Sequence, residues 1–151
     1  MKKWLGISAF LLLLIQGCTT TFQRSDFIGT WKSTDGAIIK LLKNGTFEVK
    51  HLNIHNFYPN EAGKDKIIGF NGTWDLIESG GTYSLQLRSK SRYSYFGINN
   101  TYREDGVVYS HRIAITLDVD KGGFASNRSS VYLFTWVGDP DDLSMYKFTK
   151  Q

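Results

Sequence analysis

From Phe27 to Lys150 the chain is cut into short runs of alternating apolar and polar residues, and no run keeps a helical period for three turns. Phe47 and Val49 alternate with Glu48 and Lys50. Tyr83, Leu85 and Leu87 alternate with Ser84, Gln86 and Arg88, and Ile113, Ile115, Leu117 and Val119 with Arg112, Thr116 and Asp118. Clusters of Gly, Asn, Asp and Ser separate the runs. This period of two restricts the domain to β-structure. Eight strands are predicted, over 28–33, 37–42, 46–53, 67–77, 82–88, 107–119, 131–137 and 143–149. Asn44-Gly45 predicts a type I′ hairpin turn, and Gly69 and Gly72 predict bends or a bulge in the fourth strand. Segment 89–105 has no clear period.

Strands that follow one another at this spacing form an antiparallel meander, and closing a meander removes its aggregation-prone edges. The fold expected is all-β: an antiparallel up-and-down eight-stranded barrel, with a β-sandwich as the alternative.

The first 17 residues have a different character. Lys2 and Lys3 are followed by an apolar stretch from Trp4 to Ile15, twelve residues broken only by Gly6, Ser8 and Ala9. A spanning helix needs about 20 apolar residues, so the stretch reads as a secretory signal. The chain divides into a signal peptide (1–17), a polar tether (18–26) and the β-domain (27–151). Ile15-Gln16-Gly17-Cys18 resembles the lipobox of bacterial lipoproteins, although Gln16 is unusual for that motif. The resemblance implies cleavage before Cys18 and lipidation of Cys18 with thioether-linked diacylglycerol and an N-acyl chain. One chain anchors only marginally and two or more hold firmly. The expected location is the cell envelope. By the sorting rule of Gram-negative lipoproteins, Thr19 after the cysteine implies the outer membrane if the host is Gram-negative.

Cys18 is the single cysteine. The mature domain therefore has no disulfide, thiol nucleophile or thiolate metal site, and its stability rests on its core. Removing Lys2 and Lys3 lowers the net charge from +4 to +2, too mild a balance to argue for nucleic acid.

Phe27-Ile28-Gly29-Thr30-Trp31, Ile39-x-Leu41, Asn44-Gly45-Thr46-Phe47 and Gly72-Thr73-Trp74, with the ending Tyr146-Lys147-Phe148, resemble small bacterial lipocalin-like domains. These open on Gly-x-Trp and repeat it one hairpin later. Such motifs speak for architecture and not for function. In that frame Trp31 and Trp74 are expected to plug one end of the barrel.

Motifs for chemistry are few. His51 and His55 have the spacing of a helical metal pair, but they fall where a strand enters a loop, so no metal site is assigned. Asp118-x-Asp120-x-Gly122 begins like a calcium loop and then fails it, with Gly122 at the fifth position and Ser129 at the twelfth. There is no Gly-x-Ser-x-Gly elbow and no spacing that pairs carboxylates. The chain is expected to be non-catalytic and without a cofactor.

Two aromatic stretches remain as contact residues. Run 131–137 is apolar on both faces, whereas a barrel strand with one solvated side alternates. Either the domain covers this face itself, or Tyr132, Phe134 and Trp136 line a contact surface. Segment 88–103 interleaves Tyr93, Tyr95, Phe96 and Tyr102 with Arg88, Lys90, Arg92 and Arg103, which suits sugars or anionic groups as well as ordinary packing. The function expected is a membrane-anchored lipoprotein whose barrel binds a small amphiphilic or hydrophobic ligand. The alternative is a filled barrel docking an envelope protein or cell-wall glycan.

Overall fold

The computed structural model describes residues 21–59, 63–121 and 131–151. The expected signal peptide, Cys18, the first residues of the expected tether and the turn expected at Gly122 lie outside these. The described chain folds as a short helix, α1 (Arg24–Phe27), followed by β1 (Gly29–Ser33), β2 (Ile38–Leu41), β3 (Thr46–Asn53), β4 (Ile67–Ser79), β5 (Thr82–Arg92), β6 (Thr101–Glu104), β7 (Val107–Ser110), β8 (Arg112–Lys121), β9 (Val131–Trp136) and β10 (Met145–Lys150). Eight strands close into an antiparallel barrel in the order β1-β2-β3-β4-β5-β8-β9-β10, with β10 returning to β1. The β6–β7 hairpin stands apart as its own two-stranded sheet. The fold is the expected barrel and not a sandwich.

Three local expectations change. The Leu42–Thr46 connection is a three-residue loop closed by Gly45 N–H to Leu42 C=O at 3.0 Å. Only Gly45 takes a positive φ there (+82°), whereas a type I′ turn needs two such residues. Asn44 acts through its side chain, accepting from Thr46 N–H (3.0 Å) and from the Thr46 hydroxyl (2.7 Å). The bulge expected in β4 lies instead on its partner. The β3–β4 register shifts between Val49 and Leu52, and His51 within that step has φ 54°. Run 107–119 is two strands, since the chain leaves β-pairing at His111 between β7 and β8.

Alternation sends one side chain in two into the barrel. Trp31, Ile39, Leu52, Trp74, Leu85, Leu87, Leu117, Leu133 and Phe148 have no surface that a water-sized sphere can reach. Phe47 and Phe70 meet edge to face at 5.7 Å. Packing of this kind makes large-to-small changes costly.

Both ends are closed. At the end where β1 begins, Phe27 stacks on Trp31 (6.1 Å) and Phe22 meets Phe27 (5.6 Å) and Tyr83 (5.2 Å). Trp31 Nε1 donates to Phe27 C=O at 2.8 Å and Trp74 Nε1 to Leu42 C=O at 3.1 Å, so neither buried indole is left unpaired. Segment 22–26, read from sequence as tether, packs on the barrel through Phe22 and through Arg24, which lies over Trp74. Polar composition hid this, because an Arg that stacks on an indole looks like any other surface residue.

At the opposite end, Ile54 and Ile98 are buried, Tyr58 lies on Tyr93 (5.5 Å) and Phe57 meets Tyr146 (5.9 Å). The first turn is clipped to the last strand there. Tyr146 Oη lies 2.9 Å from both carboxylate oxygens of Asp35, and the Ser33 hydroxyl donates to the same carboxylate.

Candidate binding surfaces

The contact residues expected from sequence fall into two groups on different elements, and neither opens into the barrel. Tyr93 and Phe96 begin and end a 3-10 turn after β5. Tyr93 is buried beside Tyr58, and burial with the neighbouring phenol pushes its hydroxyl pKa up. Phe96 packs partly against the core. Tyr95 points away, 82% exposed, touching Phe96 edge-on at 5.2 Å. Tyr93 and Phe96 are thus part of the barrel's end closure, and Tyr95 is not.

Tyr132, Phe134 and Trp136 share the outer face of β9, since Leu133 between them is fully buried and pairs with Phe148 and Val119. They form a continuous ridge, Tyr132 to Phe134 at 5.7 Å and Phe134 to Trp136 at 5.5 Å. Much of the ridge is covered by its neighbours. Lys147 lies 4.8 Å over the Tyr132 ring, and the Tyr132 hydroxyl donates to Asp120 at 2.7 Å. That hydrogen bond, then burial, raises the Tyr132 pKa. Phe134 is 9% exposed yet lies outside the core cluster. Asp118, paired with it in register, has its carboxyl pushed up by burial.

The histidines do not assemble a metal centre. His51 is exposed at the β3 bulge, His55 sits in the following 3-10 turn with Nδ1 enclosed and unpartnered, and His111 lies 4.7 Å from the Tyr102 ring. Among the described residues no three His, Cys, Asp or Glu side chains are grouped to hold a metal ion.

A different feature appears on the outer wall of β3, β4, β5 and β8: a groove of about 780 Å³ that takes in Thr46, Glu48, Asn71, Thr73, Arg88, Lys90 and Arg112. Barrel exteriors are convex, so a groove needs a cause. The backbones of β4 and β5 touch at Gly72, where a β-carbon would stand 2.0 Å from the Arg88 carbonyl oxygen. Only glycine permits that approach. Just beyond it β5 carries two more residues than β8 between Arg88 and Arg92, opposite Ala114 and Arg112. Ser89 stabilises the irregularity, donating to Asn71 C=O (2.7 Å) and accepting from Ser91 N–H (3.0 Å). Sequence reading placed Arg88 and Lys90 in a basic aromatic segment. It missed Arg112, which only the β5–β8 pairing brings alongside.

No protein family, curated protein or solved structure matches this chain.

Proposed function

We propose that this chain is a non-catalytic, lipid-anchored envelope protein whose filled barrel works from its outer wall as an interaction module, with an envelope protein or cell-wall glycan as partner. The supporting observation is the interior. Side chains contributed by all eight barrel strands pack it, and the largest of them expose no surface to a water-sized sphere. An eight-stranded barrel either holds one small ligand or is filled by its own side chains, and ligand pockets run to about 300–1,000 Å³. Room on that scale would require displacing Trp31, Trp74 or Phe148. The container reading, a small amphiphile held inside, therefore ranks second.

The anchor rests on the lipobox resemblance at Cys18. Four residues reach about 14 Å when fully extended, and Phe22 packs at the α1 end of the barrel. A lipid on Cys18 thus holds that end close to the membrane and turns the β6–β7 end away from it. Metabolic labelling with a fatty acid in the host tests this. The wild-type protein should carry label and sediment with membranes, and Cys18→Ser should do neither. Label retained by Cys18→Ser overturns the anchor.

A further inference from the structure

We propose that the groove on the outer wall of β3, β4, β5 and β8 binds an anionic saccharide, a sugar carrying a phosphate or carboxylate beside its hydroxyls. This deepens the outer-wall reading above and rests on it. Three cations line the groove. Arg88 shares Asp75 at 3.6 Å and also bonds Gln86. The Lys90 and Arg112 side chains have no hydrogen-bond or ion-pair partner among the described residues, although both are exposed and within reach of a ligand. The carboxylate in the groove, Glu48, is engaged outside this set by Lys50 at 3.2 Å.

Arg112 is the register partner of Arg92, and like charges directly opposite across a ladder are destabilising. The β5 irregularity sets Lys90 between Arg88 and Arg92. Arg92 is itself engaged, donating through Nη1 to the Ser110 carbonyl, whereas Arg112 has no such partner among the described residues. An oxyanion seated between Lys90 and Arg112 would offset the charge that Arg112 sets opposite Arg92 and accept charge-assisted hydrogen bonds from Lys90 and Arg112.

Asn71 and Thr73 distinguish a saccharide from a bare anion. Both are exposed on the β4 side of the groove. Their amide and hydroxyl groups donate and accept, as sugar hydroxyls require. The size matches as well, since the groove's volume falls within the range of small-molecule sites. Its lining reaches from Leu42 and Thr46 at the β2–β3 turn to Arg112 at the start of β8.

The test titrates the acylated protein, purified from its host in neutral detergent, with a phosphorylated trisaccharide and a trigalacturonate. Neutral maltotriose, inorganic phosphate and phosphatidylglycerol vesicles serve as comparison probes. Saturable binding of a charged trisaccharide is expected, with the neutral sugar and inorganic phosphate weaker by roughly tenfold or more. Lys90→Gln with Arg112→Gln should weaken charged-sugar binding by roughly tenfold or more. Lys32→Gln with Lys40→Gln, which removes the same charge from exposed positions on β1 and β2, should leave it unchanged. An unaltered near-ultraviolet circular dichroism spectrum establishes that each variant is folded. Equal loss in the two double variants, equal binding of the neutral sugar, or equal binding of phosphate or vesicles overturns the proposal. A fatty-acid probe in the same titration separates the two levels. If it enters the barrel while the sugar still binds the groove, the filled-barrel reading fails and the groove stands. If neither binds, only the groove assignment falls.

Discussion

Arg24 lies 4.4 Å over the indole of Trp74 and donates through Nη2 to the carbonyl of the same residue at 2.7 Å. One side chain thereby fastens α1 to β4 across the end of the barrel. It crosses beside Gly45, where a β-carbon would stand 2.6 Å from that nitrogen. A cation over an indole contributes about 0.5–2 kcal/mol according to its exposure, and a hydrogen bond to a charged donor about 1.5–3 kcal/mol. Arg24 is about half exposed, which favours the lower values. Arg24→Ala is expected to destabilise the domain by about 1–2 kcal/mol, and Arg24→Lys by less. Urea unfolding followed by tryptophan fluorescence measures both.

The Asp35–Tyr146 clip gives stability a pH dependence at two ends of the scale. For Asp35, burial acts to raise the pKa, but hydrogen bonds from Ser33, Tyr146 and the Ala37 amide outweigh it and leave the carboxyl below its usual value. The folded state therefore binds this proton less readily than the unfolded chain. The stability it contributes is present above the unfolded pKa and is lost as pH falls through the lower, folded one. Tyr146 is pushed up to about 12, mainly by burial. The folded state retains that proton longer, so stability falls as pH rises from about 10 to about 12. Tyr146→Phe should flatten the alkaline slope and weaken the acid one. Denaturant midpoints measured across pH report both effects.

His51 occupies a left-handed backbone conformation that costs an ordinary L-residue roughly 1–2 kcal/mol. Its side chain is exposed and contributes nothing to the core. His51→Gly is expected to be neutral or stabilising by up to about 1 kcal/mol, and His51→Val destabilising by more. Thermal unfolding of the pair measures the difference, and a gain for valine would show that the bulge is not strained.

The two classes of tryptophan should separate by stability. Trp31→Ala removes a fully buried side chain and should cost about 3–5 kcal/mol. Trp136→Ser on the outer ridge should cost less than about half of that, since Trp136 remains partly exposed. Equal losses would mean that the ridge is a second core and not an outer face.

The barrel was legible because alternation with period two, glycine-rich turns and the two Gly-x-Trp segments all specify the same architecture. Several of the differences share a cause: they depend on a partner distant in sequence. The bulge expected at Gly69 and Gly72 lies across the ladder at His51, because Gly69 accommodates the neighbouring backbone, its β-carbon position standing 3.1 Å from the Val49 carbonyl oxygen. For Tyr93 and Phe96 the sequence left ligand contact and ordinary packing open, because the half of the barrel end that they pack against comes from 54–58. Arg112 read as the polar half of an alternating strand, and only its register beside β5 makes it part of a groove.

Native mass spectrometry of the protein purified from its host's membranes tests the proposed anchored barrel with no room inside. The expected mass equals the chain from Cys18 onward plus its acyl groups, with no further small molecule retained after gentle detergent release. A stoichiometric amphiphile that survives release and is expelled on unfolding would contradict it, as would an unmodified chain that still carries residues 1–17.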